Sequence, residues 1–247
     1  WPNDLLDSWT KGSSPCNWTG VTCRLQHRHE PHDQGDVVLV VTNISLVYCQ
    51  LHGRLESLPF ADLPHLVYLN LTRTILSGTI PSSIGALAKL THLDLGHNSL
   101  WGSIPPSIGA LNELTYLDLS YNRLNGFIAT SLDLPHLISL DLSHNSLWGS
   151  IPSSAGTLNE LAYLDLSYNR LNGSIATFLD LPQVVYLNVS LNSLSGLIPS
   201  SIGALAMLEC LDLSSNSLHG SIPESIGNCT KLTYLYLSQN QLSGSIP

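Results

Sequence analysis

His97–Ser143, HNSLWGSIPPSIGALNELTYLDLSYNRLNGFIATSLDLPHLISLDLS, is followed at once by His144–Ser190, HNSLWGSIPSSAGTLNELAYLDLSYNRLNGSIATFLDLPQVVYLNVS. The two stretches agree at 35 of 47 positions without a gap. A tandem near-copy of this kind means a repeat architecture, in which each unit buries its core only against its neighbours. Each block divides again into two units of nearly equal length that open on the phrase L-x-x-L-x-L-x-x-N. Followed outward, the phrase starts at Leu66, Leu90, Leu114, Leu137, Leu161, Val184, Leu208 and Leu232, so the repeat returns roughly every 24 residues and never slips by more than one position.

The unit 90–113, LTHLDLGHNSLWGSIPPSIGALNE, shows what each position does. Leu93 and Leu95 alternate with His92, Asp94 and Gly96, so a short strand buries its leucines and presents the others on the opposite face. Asn98 falls where the chain turns away from that strand. Its amide and the copies at Asn122, Asn145, Asn169, Asn192, Asn216 and Asn240 predict a buried hydrogen-bonded ladder. Cys49 stands in that place in the first, irregular unit. Gly102, Ile104 and Pro105 predict an extended return, and Ile108 and Leu111 close the core. Pro105 cannot donate to a ladder, so any second sheet is expected to be limited. Cys229 takes a core position held elsewhere by Leu87, Leu111 and Leu205, whereas Cys210 takes the exposed position of His92.

Composition narrows the partners. The chain has 247 residues, 43% hydrophobic and 11% charged, with 9 Lys plus Arg against 18 Asp plus Glu and a net charge of −9. Its basic residues are scattered, which argues against nucleic acid and anionic membrane surfaces. No apolar run approaches the roughly 18 residues of a membrane span. Six N-x-S/T sequons, at Asn17, Asn43, Asn70, Asn172, Asn188 and Asn228, join a compact Cys16 and Cys23 pair in pointing to an oxidising, secretory route. The chain carries no signal peptide, which reads as a processed or trimmed form.

Residues 1–36 lie outside the repeat and are expected to cap it, with Leu5, Leu6, Trp9, Trp18 and Val21 supplying apolar area. Residues 24–36 are expected to be a polar loop. It holds His27, His29 and His32 with Glu30, Asp33 and Asp36, but Pro31 and Gly35 leave no rigid frame for metal ligands, so no metal site is assigned. A first strand is expected at Val37–Leu46 within an irregular unit, 37–65, and the regular repeats occupy 66–247.

The unit LAKLTHLDLGHNSLWGSIPPSIGAL (87–111) resembles the plant-specific class of leucine-rich repeat. The segment LLDSWTKGSSPCNWTGVTC (5–23) resembles the paired-cysteine amino-terminal cap of plant leucine-rich repeat receptor kinases and receptor-like proteins. TNISLVYCQLHGRLESLPFADLPHL (42–66) is similar to the peptide-sensing group among them. The resemblance implies an α/β repeat fold: a right-handed solenoid with a concave parallel sheet and an extended or 3-10 convex side. It also implies an extracellular or cell-surface place, a peptide or protein ligand, often a co-receptor of the same repeat class, and no cofactor. Two features depart from the family pattern. The chain begins at Trp1, without the upstream A-L-L-x-W helix, and ends at Pro247 in mid-unit, so it reads as part of a longer ectodomain.

Function is expected on the concave face, where strand positions stack into columns. One column runs Asn43, Tyr68, His92, Tyr116, Ser139, Tyr163, Tyr186, Cys210, Tyr234. The next runs Ser45, Asn70, Asp94, Asp118, Asp141, Asp165, Asn188, Asp212, Tyr236. Beyond a serine column comes Tyr48, Arg73, His97, Tyr121, His144, Tyr168, Leu191, Ser215, Gln239. The result is an acidic stripe between two aromatic rows. The Asp column is also the consensus of this repeat, so the tyrosines and histidines carry more of the argument.

Sugars at Asn43, Asn70 and Asn188 would leave a bare window from His92 to Tyr168, and the ligand-binding candidates are His92, Asp94, His97, Tyr116, Asp118, Tyr121, Asp141, His144, Tyr163, Asp165 and Tyr168. Trp101 and Trp148 share a lateral position, a duplicated feature or a partner surface. The concave R-x-R with which family receptors grip a ligand carboxylate is absent. No catalytic spacing, phosphate loop or pocket-forming insertion points to an enzyme. A secreted inhibitor of a microbial wall-degrading enzyme and an ice-binding solenoid remain as alternatives, the second without the ranks of Thr or the N-x-V-x-G pattern it would want.

Overall fold

The computed structural model describes residues 12–27, 37–128, 134–177 and 179–247. Among these, the strands fall into a ten-stranded and an eight-stranded sheet that run side by side along a right-handed solenoid. The chain enters through an antiparallel hairpin, β1 (Val21–His27) on β2 (Val37–Ser45), with a bulge between Thr22 and Cys23. Each unit then adds one short strand in parallel: β3 (Tyr68–Asn70), β5 (His92–Asp94), β7 (Tyr116–Asp118), β9 (Ser139–Asp141), β11 (Tyr163–Asp165), β13 (Tyr186–Asn188), β15 (Cys210–Asp212) and β17 (Tyr234–Tyr236). The register is invariant from β3 onward, with Tyr68 opposite His92, His92 opposite Tyr116, and so on to Tyr234.

Two expectations are corrected here. Arg24–His27 is not loop but the second half of β1, paired with Val37–Val40, because the β-branched Val37, Val38, Val40 and Val41 favour a strand edge next to it. His29, Glu30, His32, Asp33 and Asp36 lie outside the described residues, as do Leu5, Leu6 and Trp9. Trp18 is half-buried, and its Nε1 donates to Ser13 Oγ at 2.7 Å. Cys16 and Cys23 form a disulfide.

The second correction concerns the other flank. The return segments form a sheet of eight short parallel strands, β4 (Ser77–Gly78), β6 (Ser99–Gly102), β8 (Arg123–Gly126), β10 (Ser146–Ser150), β12 (Arg170–Ser174), β14 (Ser193–Gly196), β16 (Ser217–Gly220) and β18 (Gln241–Leu242). Proline did not prevent this, because it follows the strand instead of sitting in it. The glycine in seven of these return strands, Gly102 at φ 82° for example, holds a left-handed conformation that a side chain would strain. Short 3-10 turns such as Pro106–Ala110 and Ser200–Ala204 complete the convex side.

Between the layers lies a column of leucines. Leu93, Leu117, Leu140 and Leu164 are at most 2% exposed, and Leu100, Leu124, Leu147 and Leu171 match them from the second sheet. Each buried leucine contributes about 2 kcal/mol of transfer free energy. Asparagines then satisfy the backbone at the bend. Asn145 Nδ2 donates to the carbonyls of Leu119, Leu142 and Ser143 at 3.0, 3.2 and 3.1 Å, and its Oδ1 accepts from the Leu124 amide at 2.9 Å. Asn98, Asn122, Asn169, Asn192, Asn216 and Asn240 repeat the pattern, so one side chain ties each unit to its predecessor. Cys49 is buried in the equivalent place, with Sγ 3.8 Å from the Val47 carbonyl, and Cys229 Sγ lies 3.2 Å from the Ile202 carbonyl.

Candidate functional site

Because register never slips, residues one unit apart face each other across a single strand spacing, and their side chains stack. In the first column Tyr68, His92 and Tyr116 lie face to face, with ring centroids 4.2 Å apart at each step and planes within 9°. Tyr163 and Tyr186 continue the column at 4.5 Å and 5°. Ser139 interrupts it between Tyr116 and Tyr163, and Cys210 interrupts it between Tyr186 and Tyr234.

The outer column is longer. Arg73 sits over Tyr48 at 5.2 Å, and its Nη2 is 3.5 Å from His97 Nε2. From there His97, Tyr121, His144 and Tyr168 form an unbroken stack with steps of 4.2, 3.9 and 4.0 Å. Every residue of this column is left-handed, with φ between 50° and 59°. That backbone turns the chain off the strand and splays these side chains along the rim, where Tyr121 and Tyr168 are exposed. Sequence reading found the column but not its conformation, since no glycine marks it.

The carboxylates lie between the rows. Asp94 is buried at 8% exposure, and its Oδ1 accepts from the Gly96 amide at 3.0 Å. Asp118, Asp141, Asp165 and Asp212 accept in the same way from the amides of Ser120, Ser143, Ser167 and Ser214. Each aspartate therefore braces its own turn as well as charging the face. Burial pushes the Asp94 and Asp141 carboxyls up to about 6, with the neighbouring carboxylates adding to the rise against the hydrogen bonds that oppose it. Burial likewise holds His92, His97 and His144 below the usual imidazole value, with His92 Nε2 buried and without a hydrogen-bond partner. Tyr116 and Tyr163 are pushed well up by burial and then by the aspartates, and Tyr186 to about 12 by burial and Asp165.

All eleven candidate residues therefore line one face. Two sequon asparagines on this face are held in hydrogen bonds. Asn70 is 9% exposed, its Oδ1 accepting from the Thr72 amide, and Asn188 Nδ2 donates to Asp165 Oδ2 and Tyr186 Oη at 3.2 Å each. Asn43 is half-buried, whereas Asn17, Asn172 and Asn228 are exposed. Trp101 and Trp148 are exposed on the second sheet, where Trp148 meets Phe127 at 3.9 Å. Among the described residues no helix is long and apolar enough to cross a membrane.

The family profile described as Leucine rich repeat matches residues 113–171, 135–194 and 182–242. The chain belongs to the leucine-rich repeat family. A further repeat profile matches 65–87 and 89–111, and the leucine-rich repeat N-terminal domain matches 1–24. Receptor-like protein 35 of Arabidopsis thaliana is 41% identical over 84 residues, 34% of this chain but only 8% of that relative's length. The ectodomain of the Arabidopsis receptor kinase HAESA, solved with an extended IDA peptide hormone, superposes with a TM-score of 0.84 at 32% identity. It covers 100% of this leucine-rich repeat chain, which spans 40% of that one. A plant ice-binding protein superposes with a TM-score of 0.67 at 29% identity, covering 99% of this chain and 83% of its own.

Proposed function

We propose that this leucine-rich repeat chain is an extracellular recognition module that binds a peptide or protein ligand on its concave face, within a plant cell-surface receptor for signalling or immunity. The observation that carries the reading is the pair of stacked aromatic columns flanking the aspartates. Rigid, stacked rings offer large contact area at low entropy cost, and their hydroxyls suit a peptide backbone. HAESA, of which this chain spans 40% or less, is solved with the peptide hormone IDA and, in one structure, with the co-receptor SERK1 as well. A co-receptor is accordingly proposed here as well. Neither nucleic acid nor direct membrane binding has support in the charge distribution.

A peptide selected from a random display library against this chain provides the test, read by hydroxyl-radical footprinting. The expected result is protection of Tyr116, Tyr121, Tyr163, Tyr168, His97 and His144, with Trp101 and Trp148 still reactive. Protection of the tryptophans alone contradicts the proposal.

The similarity to an ice-binding protein over 83% of its length supports a second reading. The columns here are poor in regular threonine, and the equivalent return-strand positions Trp101, Asn125, Trp148, Asn172, Ser195 and His219 vary at every step. Ice recrystallisation in the presence of the chain decides it, and unhindered crystal growth is the expected result.

A further inference from the structure

The first aromatic column is missing two rungs. Tyr116 and Tyr163 each stack on one neighbour, His92 and Tyr186, and turn their other faces toward the space above Ser139. One step of this column is 4.2 to 4.5 Å. Two steps separate these rings by about 9 Å, which leaves room for one planar group in contact with both. The same gap recurs above Cys210, where a cavity of about 380 Å³ is lined by Tyr186, Cys210, Asp212, Tyr234 and Tyr236.

The walls specify the guest. Aromatic faces on both sides attract a flat cation, and the carboxylates of the adjoining column, Asp118, Asp141 and Asp165 at the first gap and Asp212 at the second, neutralise it. A guanidinium is planar and pairs edge-on with carboxylate while stacked on aromatic faces; an ammonium is a compact, strongly hydrated point charge. A neutral ring would instead desolvate the aspartates without compensation.

We propose that the gaps above Ser139 and Cys210 are two arginine-binding slots, and that the ligand offers them two arginines four residues apart in an extended segment running along the solenoid. The spacing follows from the fold. Ser139 and Cys210 are three strand steps apart, through Tyr163 and Tyr186, or roughly 14 Å. Four residues of extended chain span roughly 13 Å and put positions i and i+4 on the same side. Burial and then the field of the aspartates push the Tyr116 and Tyr163 phenols up, so that field reaches both walls of the first slot.

This inference rests on the concave face being the ligand face, and its test separates the two. The probe is acetyl-Arg-Gly-Ser-Gly-Arg-amide, titrated calorimetrically at pH 7.5 and low salt against lysine and phenylalanine counterparts. Filling variants are Ser139→Tyr and Cys210→Tyr, each completing the column with the residue its neighbours carry; Ser139→His, as at position 92, serves if the tyrosine unfolds the chain.

The arginine probe is expected to bind at least tenfold tighter than the other two. Each filling should cost about tenfold and the pair should abolish binding. Equal affinity for lysine or phenylalanine, or binding unchanged in the double variant, overturns the slots. A selected peptide that protects the concave tyrosines in footprinting yet ignores both fillings overturns the slots while the concave reading stands. Selected peptides that protect only the tryptophans overturn the concave reading and, with it, the claim that the ligand's arginines fill the slots, even if probe binding follows the fillings.

Discussion

Tyr121 lies face to face on His144, with ring centroids 3.9 Å apart and planes 14° from parallel, although the two belong to successive units of the repeat. The repeat period and the invariant register create this contact, and the left-handed backbone at both positions aims the rings along the rim. Tyr121 also covers His97 at 4.2 Å, so one side chain shields two imidazoles.

Replacing Tyr121 with Ala removes both stacks. The loss of stability is expected to be about 1 kcal/mol, the scale of stacked pairs on a partly exposed surface. Burial is the first cause of the lowered His97 and His144 values, so uncovering the rings should move both upward toward the usual imidazole value. Titration of the imidazole carbon-bound protons by NMR reads the shift; values that stay put contradict the assignment.

The double change Asp94→Asn and Asp141→Asn isolates a pH effect. A carboxyl whose folded value is raised to about 6 binds protons more tightly folded than unfolded, so its stabilising contribution is complete below the unfolded value and lost as pH rises through about 6. At pH 7.5 the wild type therefore carries two unfavourable buried charges. Asparagine retains the brace, as Asn70 and Asn188 already do with the Thr72 and Ser190 amides. The variant should be more stable than wild type at pH 7.5, by on the order of 1 kcal/mol per site, and lose that advantage towards pH 4. Urea midpoints at both pH values check this.

Asn145→Ala should be among the costliest single substitutions. It deletes three donated bonds and leaves the Leu124 amide without its acceptor in a water-poor bend. The expected loss is about 3 kcal/mol, combining lost bonds with unsatisfied buried groups. A fall in urea midpoint no larger than that of an exposed substitution such as Asn125→Ala contradicts the ladder's role.

Sugar occupancy should follow exposure. Asn17, Asn172 and Asn228 are open to solvent, whereas the Asn70 and Asn188 amides are held within the concave face. Enzymatic deglycosylation in heavy-oxygen water, followed by peptide mass spectrometry, should mark the first three and neither of the last two. A mark at Asn70 would show that the concave face is covered where the structure leaves it bare.

Much of this organisation was legible in the sequence because a strict repeat constrains every position of the unit at once. Leu93 and Asn98 announce strand, core and ladder together, and the columns follow by counting. What escaped had no local signal. The strand at Arg24–His27 exists only because Val37–Val40 lies beside it, and the second sheet depends on returns whose proline comes just after the pairing residues. The burial of Asn70 depends on its neighbours' packing, which a sequon pattern does not encode. The stacks could be anticipated as rows, but the openings at Ser139 and Cys210 acquire meaning only once ring spacing is known.

The most direct test of the concave face as ligand surface compares two multiple variants against one selected peptide. The first replaces Tyr116, Tyr121, Tyr163 and Tyr168 with alanine, and the second replaces Trp101, Phe127 and Trp148. Affinity measured by calorimetry should fall at least a hundredfold in the first and stay within about twofold in the second. The opposite ranking, with binding kept by the tyrosine variant and lost in the lateral one, would place recognition on the second sheet and contradict the account.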